Sequence, residues 1–124
     1  MLIKGLYSIV NFEKEENRLI RATIKLNPDH EVFEGHFPGN PILPGVCTLQ
    51  IIKELTEKAL NKNLFLKVTS NVKFMAIINP QKNDLLNLVL NLSETEDGII
   101  KVKNTTSFED TLALKLNASF KVLS

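Results

Sequence analysis

Six of the ten glycines and prolines in this chain fall within eleven residues: Gly35, Pro38, Gly39, Pro41, Pro44 and Gly45. Proline fixes φ and removes a backbone donor, while glycine opens conformations that other residues avoid. Neither a helix nor a central strand can run through such a stretch. It must fold as a rigid, tightly shaped loop, and the regular elements on its two sides must form independently.

On the N-terminal side, Ile20, Ala22, Ile24 and Leu26 alternate with Arg21, Thr23 and Lys25. This period of two predicts a half-buried strand over Leu19–Leu26. Tyr7–Phe12 is its expected hairpin partner, joined through the polar run Glu13–Asn17. After the loop the spacing changes to that of a helix over Gly45 to about Asn61, with Pro44 just ahead of it. Thr48, Ile52, Leu55 and Ala59 share one face, flanked by Leu49 and Ile51, and Lys53, Glu54, Glu57 and Lys58 lie mainly opposite. Its first two turns are apolar nearly all round, which predicts a helix buried at its N-terminal end.

Four more strands are expected: about Phe65–Ala76, Leu85–Leu92, Ile99–Thr106 and Leu112–Val122, with Glu96-Asp97-Gly98 as a hairpin turn. One long helix with an antiparallel sheet large enough to wrap it is an α+β architecture. At 124 residues and 44% hydrophobic, the chain suits one domain spanning 1–124 with a real core.

Fifteen Lys and Arg stand against fourteen Asp and Glu, a net charge of +1 that argues against a general nucleic-acid binder. No apolar stretch is long enough to span a membrane, and no secretory signal is expected at the N-terminus. Cys47 stands alone, which excludes an internal disulfide and fits a reducing, cytoplasmic setting. One Cys and two His cannot close a Cys/His zinc site, so no metal and no organic cofactor are expected.

The loop also carries chemistry. Gly35-His36-Phe37-Pro38, then Pro41-Ile42-Leu43-Pro44-Gly45 leading into a helix, resembles the signature of the 3-hydroxyacyl-[acyl-carrier-protein] dehydratases, the FabZ/FabA-like family. Lys73-Phe74 and the turn at Asn79–Asp84 are similar to later family features, so the resemblance covers roughly residues 19–122. It implies a hot-dog fold, in which a five- or six-stranded antiparallel sheet wraps a central helix. It further implies an acyl carrier protein as substrate carrier and a homodimer with sites at the subunit interface, with the hexamer as a further assembly.

Dehydrating a 3-hydroxyacyl thioester needs a base for the Cα proton, an acid for the leaving hydroxyl and donors for the thioester oxygen. His36, an imidazole that titrates near neutrality, suits the base. The Gly45 and Val46 amides open the helix without intrahelical partners, at the positive end of its dipole. Phe33, Phe37, Ile42 and Leu43 are expected to line an acyl slot. The family's acidic residue follows its histidine by fourteen positions, which lands here on Gln50. A carboxamide orients a hydroxyl or water but donates no acidic proton. Glu54, about 40° around and about 6 Å further along the same helix, is the candidate acid. Two alternatives stay open: a hot-dog acyl thioesterase, and a non-catalytic acyl- or carrier-binding subunit. His30 is expected at the surface. Lys62, Lys67, Lys73 and Lys82 are candidate carrier-docking residues.

Overall fold

The structure, a computed structural model, describes residues 4–35 and 39–124. The elements run β1 (Tyr7–Glu15), β2 (Leu19–Leu26), a 3-10 turn (Glu31–Phe33), α1 (Gly45–Leu60), β3 (Leu64–Phe74), β4 (Leu85–Glu94), β5 (Ile99–Phe108) and β6 (Thr111–Val122). The six strands form one sheet in the order β1-β2-β4-β5-β6-β3, with every neighbouring pair antiparallel. This is the hot-dog architecture expected from the sequence.

Strand alternation sets which face is inside. Ile20, Ala22, Ile24 and Leu26 of β2 are buried with Leu86, Leu88, Leu90 and Leu92 of β4. On β6, Leu114, Leu116, Ala118 and Phe120 continue the same face. Helix α1 buries Cys47, Thr48, Ile51, Ile52, Leu55, Thr56 and Ala59 into the same core. Three of the buried polar side chains there, Thr56, Asn104 and Thr106, are paired. Thr106 Oγ1 donates to Asn104 Oδ1 at 2.9 Å, and Asn104 Nδ2 donates to the Val89 and Thr105 carbonyls at 3.2 Å each. Thr56 Oγ1 donates to the Ile52 carbonyl at 2.8 Å. The helix stops where Asn61 turns left-handed (φ 53°) and its amide closes on the Glu57 carbonyl.

One expectation is corrected. Val46, in the first helical turn, is 71% exposed, so the start of the helix is not covered all round. About 160° separates Val46 from Thr48, the first residue of the core-facing stripe after Cys47, so Val46 points away from the sheet. The outer edge of β3 also carries bare apolar side chains, including Phe65, Val68, Val72 and Phe74. Among the described residues no strand pairs with that edge.

Candidate active site

Helix α1 begins at Gly45 because Pro44 holds an extended conformation (φ −64°, ψ 144°) and supplies no side-chain cap. The amides of Cys47 and Thr48 turn back to the Pro44 carbonyl at 3.0 and 3.3 Å. Those of Gly45 and Val46 have no acceptor among the described residues, leaving two adjacent N–H donors at the positive end of the helix. Glycine is required at 45 by its neighbour. A Cβ there would lie 2.7 Å from Phe74 Cζ and 3.0 Å from Cε1, so the Phe74 ring rests directly on the helix start.

Beside this helix end lies a cavity of about 680 Å³. Ile42, Leu43, Pro44, Gly45 and Thr48 form one wall, and residues 74–78 with Leu114 form the other. Backbone bonds tie the walls together. Leu43 N–H donates to the Ile78 carbonyl at 2.9 Å, and Met75 and Ala76 N–H both donate to the Ala113 carbonyl at 2.8 and 3.1 Å. Among the described lining residues, Thr48 is the one with a polar side chain. The chemistry on offer is a long apolar slot with a hydroxyl and two amides near one end, which suits a chain carrying a carbonyl.

Gln50 and Glu54 occupy another side of the helix, Gln50 standing about 200° around from Thr48. Both are half-buried, and the structure brings them together: Gln50 Nε2 donates to Glu54 Oε2 at 3.0 Å. The second carboxylate oxygen, Oε1, accepts from the Tyr7 hydroxyl at 2.7 Å. Burial holds the Tyr7 phenol well above its ordinary range, and the hydrogen bond to Glu54 and its negative charge push the same way.

The predicted site residues thus fall in three places. Ile42, Leu43 and Gly45 line the cavity, and the Val46 amide lies beside it at the helix start. Gln50 and Glu54 form a hydrogen-bonded pair on the polar flank. Phe33 is buried in the core and faces a separate recess of about 410 Å³ with His30, Pro41 and Gln81, away from the helix-start cavity. His36 and Phe37 lie outside the described residues.

Sequence reasoning did not single out Thr48, Phe74 or Tyr7 for the site. Thr48 carried a signal, as the hydroxyl that opens the stripe of Ile52, Leu55 and Ala59 at the helix start. Tyr7, 47 positions before Glu54, carried none, because that contact exists only once β1 is laid beside the helix. His30 caps the 3-10 turn, its Nδ1 accepting from Val32 N–H at 3.0 Å while Nε2 meets the Lys4 carbonyl at 2.9 Å. That pairing puts the ring proton on Nε2. Cys47 is 4% exposed, and burial pushes its thiol pKa up, as for a small core side chain rather than a nucleophile.

A family model, ApeI-like (ApeI dehydratase), matches residues 12–114. The 3-hydroxyacyl-[acyl-carrier-protein] dehydratase FabZ of Lactobacillus helveticus is 30% identical, over 98% of this chain and 88% of its own length. FabZ of Latilactobacillus sakei is 31% identical over 73% of this chain and 67% of its own. Among solved structures, the dehydratase heterocomplex ApeI:P from Xenorhabdus doucetiae matches with a TM-score of 0.73 and 23% identity, covering 93% of this chain and 96% of that one. A hypothetical thioesterase with coenzyme A from Streptococcus pneumoniae shares the fold at a TM-score of 0.67 and 12% identity, over 95% and 86% of the two chains.

Proposed function

This chain belongs to the ApeI-like dehydratase family, and from that premise we propose that it removes water from 3-hydroxyacyl-[acyl-carrier-protein] thioesters, giving trans-2-enoyl thioesters in fatty-acid or related polyene/polyketide synthesis. The observation that carries the reading is the pair of amides, without an acceptor among the described residues, beside an apolar cavity and directly after the Gly-His-Phe-Pro loop.

In this reading the acyl chain lies between Ile42–Leu43 and Phe74–Ile78, and the thioester carbonyl meets the Gly45 and Val46 amides. His36 takes the Cα proton, and the electron pair left behind is stabilised on the thioester oxygen by those donors. As the double bond forms, the C3–O bond breaks and the hydroxyl leaves as water with the proton of a protonated Glu54 carboxyl, supplied across the homodimer interface, where one copy's His36 faces the other copy's helix flank. Gln50 orients that hydroxyl. Acyl carrier protein delivers the substrate in the cytoplasm, and surface lysines such as Lys82 face its acidic surface. Two copies of this single-domain chain pair along the bare β3 edge. The exposed Phe65, Val68 and Phe74 support that edge as the seam, since an unpaired apolar strand is a template for a second chain. Hexamers would be dimers assembled further.

The test is to incubate the protein with a 3-hydroxyacyl carrier-protein thioester and follow intact mass. Loss of one water, abolished by His36→Ala, is expected. Release of free acid would instead mark a thioesterase. No turnover of any chain length would leave an acyl-binding subunit.

A further inference from the structure

Glu54 is held from two directions. Gln50, one turn earlier on the same helix, donates to Oε2 at 3.0 Å, and Tyr7, the first residue of β1, donates to Oε1 at 2.7 Å. Each carboxylate oxygen therefore has its own donor, and the two donors come from different elements. A glutamate on a helix flank otherwise samples several rotamers, and freezing it has an entropic cost that two directed bonds to a charged acceptor offset. The same geometry fixes the neighbour. With one Nε2 hydrogen committed to Glu54, the Gln50 carboxamide cannot turn over without breaking that bond.

We propose that Tyr7 is a positioning residue for the dehydration: its phenol locks the Glu54 carboxyl and, through it, the Gln50 amide, in the arrangement that meets the substrate hydroxyl. The inference rests on the dehydratase reading above, in which Gln50 and Glu54 handle that hydroxyl. It explains how an amide can stand where the family's acid is expected. The carboxyl group sits one turn later, and a tyrosine from the sheet holds it in register. Tyr7 is not itself the proton source. Burial and the adjacent carboxylate both keep the proton on its oxygen. Its ring packs partly against the core, so the ring belongs to the fold and the hydroxyl to the site.

The test separates those two parts. Tyr7→Phe keeps the ring and removes the donor. It is expected to lower kcat by about tenfold while KM and the melting temperature change little, the scale of one hydrogen bond to a charged group. In a Glu54→Gln background the same change should cost almost nothing more, because the group it positions can no longer supply a proton. An equal loss of kcat in both backgrounds would mean a merely structural tyrosine and would overturn the proposal.

A second readout needs no turnover. Tyr7 is the chain's one tyrosine and there is no tryptophan, so near-ultraviolet fluorescence reports this phenol alone. A phenol donating to a carboxylate is quenched, so Glu54→Gln should brighten the emission and Gln50→Ala should change it less. Unchanged emission in Glu54→Gln overturns the clamp whether or not the assay works. A wild type that turns over no 3-hydroxyacyl thioester overturns the dehydratase reading instead, while the fluorescence still decides whether the clamp exists.

Discussion

The two flanks of α1 are built on opposite principles. On the cavity flank, the walls are also the core: Leu43, Thr48, Ile78 and Leu114 are each no more than 6% exposed. On the polar flank, Gln50 and Glu54 are half-buried and held by hydrogen bonds to each other and to Tyr7, with little role in the packing. Shape is thus set on one side by close packing, and charge on the other by directed bonds. Substitutions on the first side should be felt in stability before activity, and on the second side in activity before stability.

The largest effect is expected where cavity and core coincide. Leu114 is 1% exposed, lines the cavity and faces Thr106 across β5. Leu114→Ala should cost about 2–5 kcal/mol in urea unfolding, since the enlarged cavity cannot collapse around walls pinned to Ile78 and Ala113. A cost below about 1 kcal/mol would mean that these walls move freely, against the rigid slot described above. The matching change on the other flank is Glu54→Ala. It strips two hydrogen bonds but leaves the core intact, so an unfolding cost of about 1–2 kcal/mol is expected, alongside a far larger fall in kcat. If the two variants lost stability equally, the contrast between the flanks would fail.

How much of this was legible in the sequence follows the same division. Strands β2, β4, β5 and β6 each bury one face, so their period of two was written plainly, and β2 runs over Leu19–Leu26 as expected. The helix start was legible because Pro44-Gly45 marks it. The far end of β1 was not. Its last residues, Glu13–Glu15, are exposed on an edge strand and pair with Leu19–Arg21 through backbone register, with Glu16 turning left-handed (φ 52°), so no apolar pattern announces them. Strand β3 was blurred by shifts of register between Leu66 and Val68 and between Ser70 and Lys73. In the site, the Gln50–Glu54 pairing followed from helical spacing alone. The Tyr7 contact depended on tertiary placement and had no local trace, and the same was true of Phe33, which went into the core because its 3-10 turn faces inward.

Thr48→Val sharpens the comparison from within the cavity. The two side chains are close in shape, so stability should shift by less than about 1 kcal/mol. The hydroxyl, however, is the one polar side chain among the described lining residues. Losing it should raise KM for the acyl thioester by up to about tenfold with kcat less affected, the value of one neutral hydrogen bond. A variant with wild-type KM would leave the amides of Gly45 and Val46 as the polar recognition offered by the described residues of the slot. A KM that rises together with a collapse in stability would instead make Thr48 a packing residue.

The smallest effect tests the polar flank by titration. Tyr7 has its phenol held above the ordinary value of about 10 in the folded protein, so the unfolded chain gives up this proton first. A group raised on folding stabilises fully below its unfolded value, and that contribution drains away as pH climbs through the gap. Wild-type unfolding free energy should therefore begin to fall above about pH 10, with part of the decline traceable to this one phenol. Tyr7→Phe removes the ionisation and should flatten that part of the curve. Glu54→Gln should leave a shallower decline than wild type, since it removes the hydrogen bond and the charge but not the burial that holds the phenol up. If Tyr7→Phe falls as steeply as wild type, the alkaline loss does not come from this phenol, which is then not held up by its burial and its carboxylate in the way the 2.7 Å contact implies.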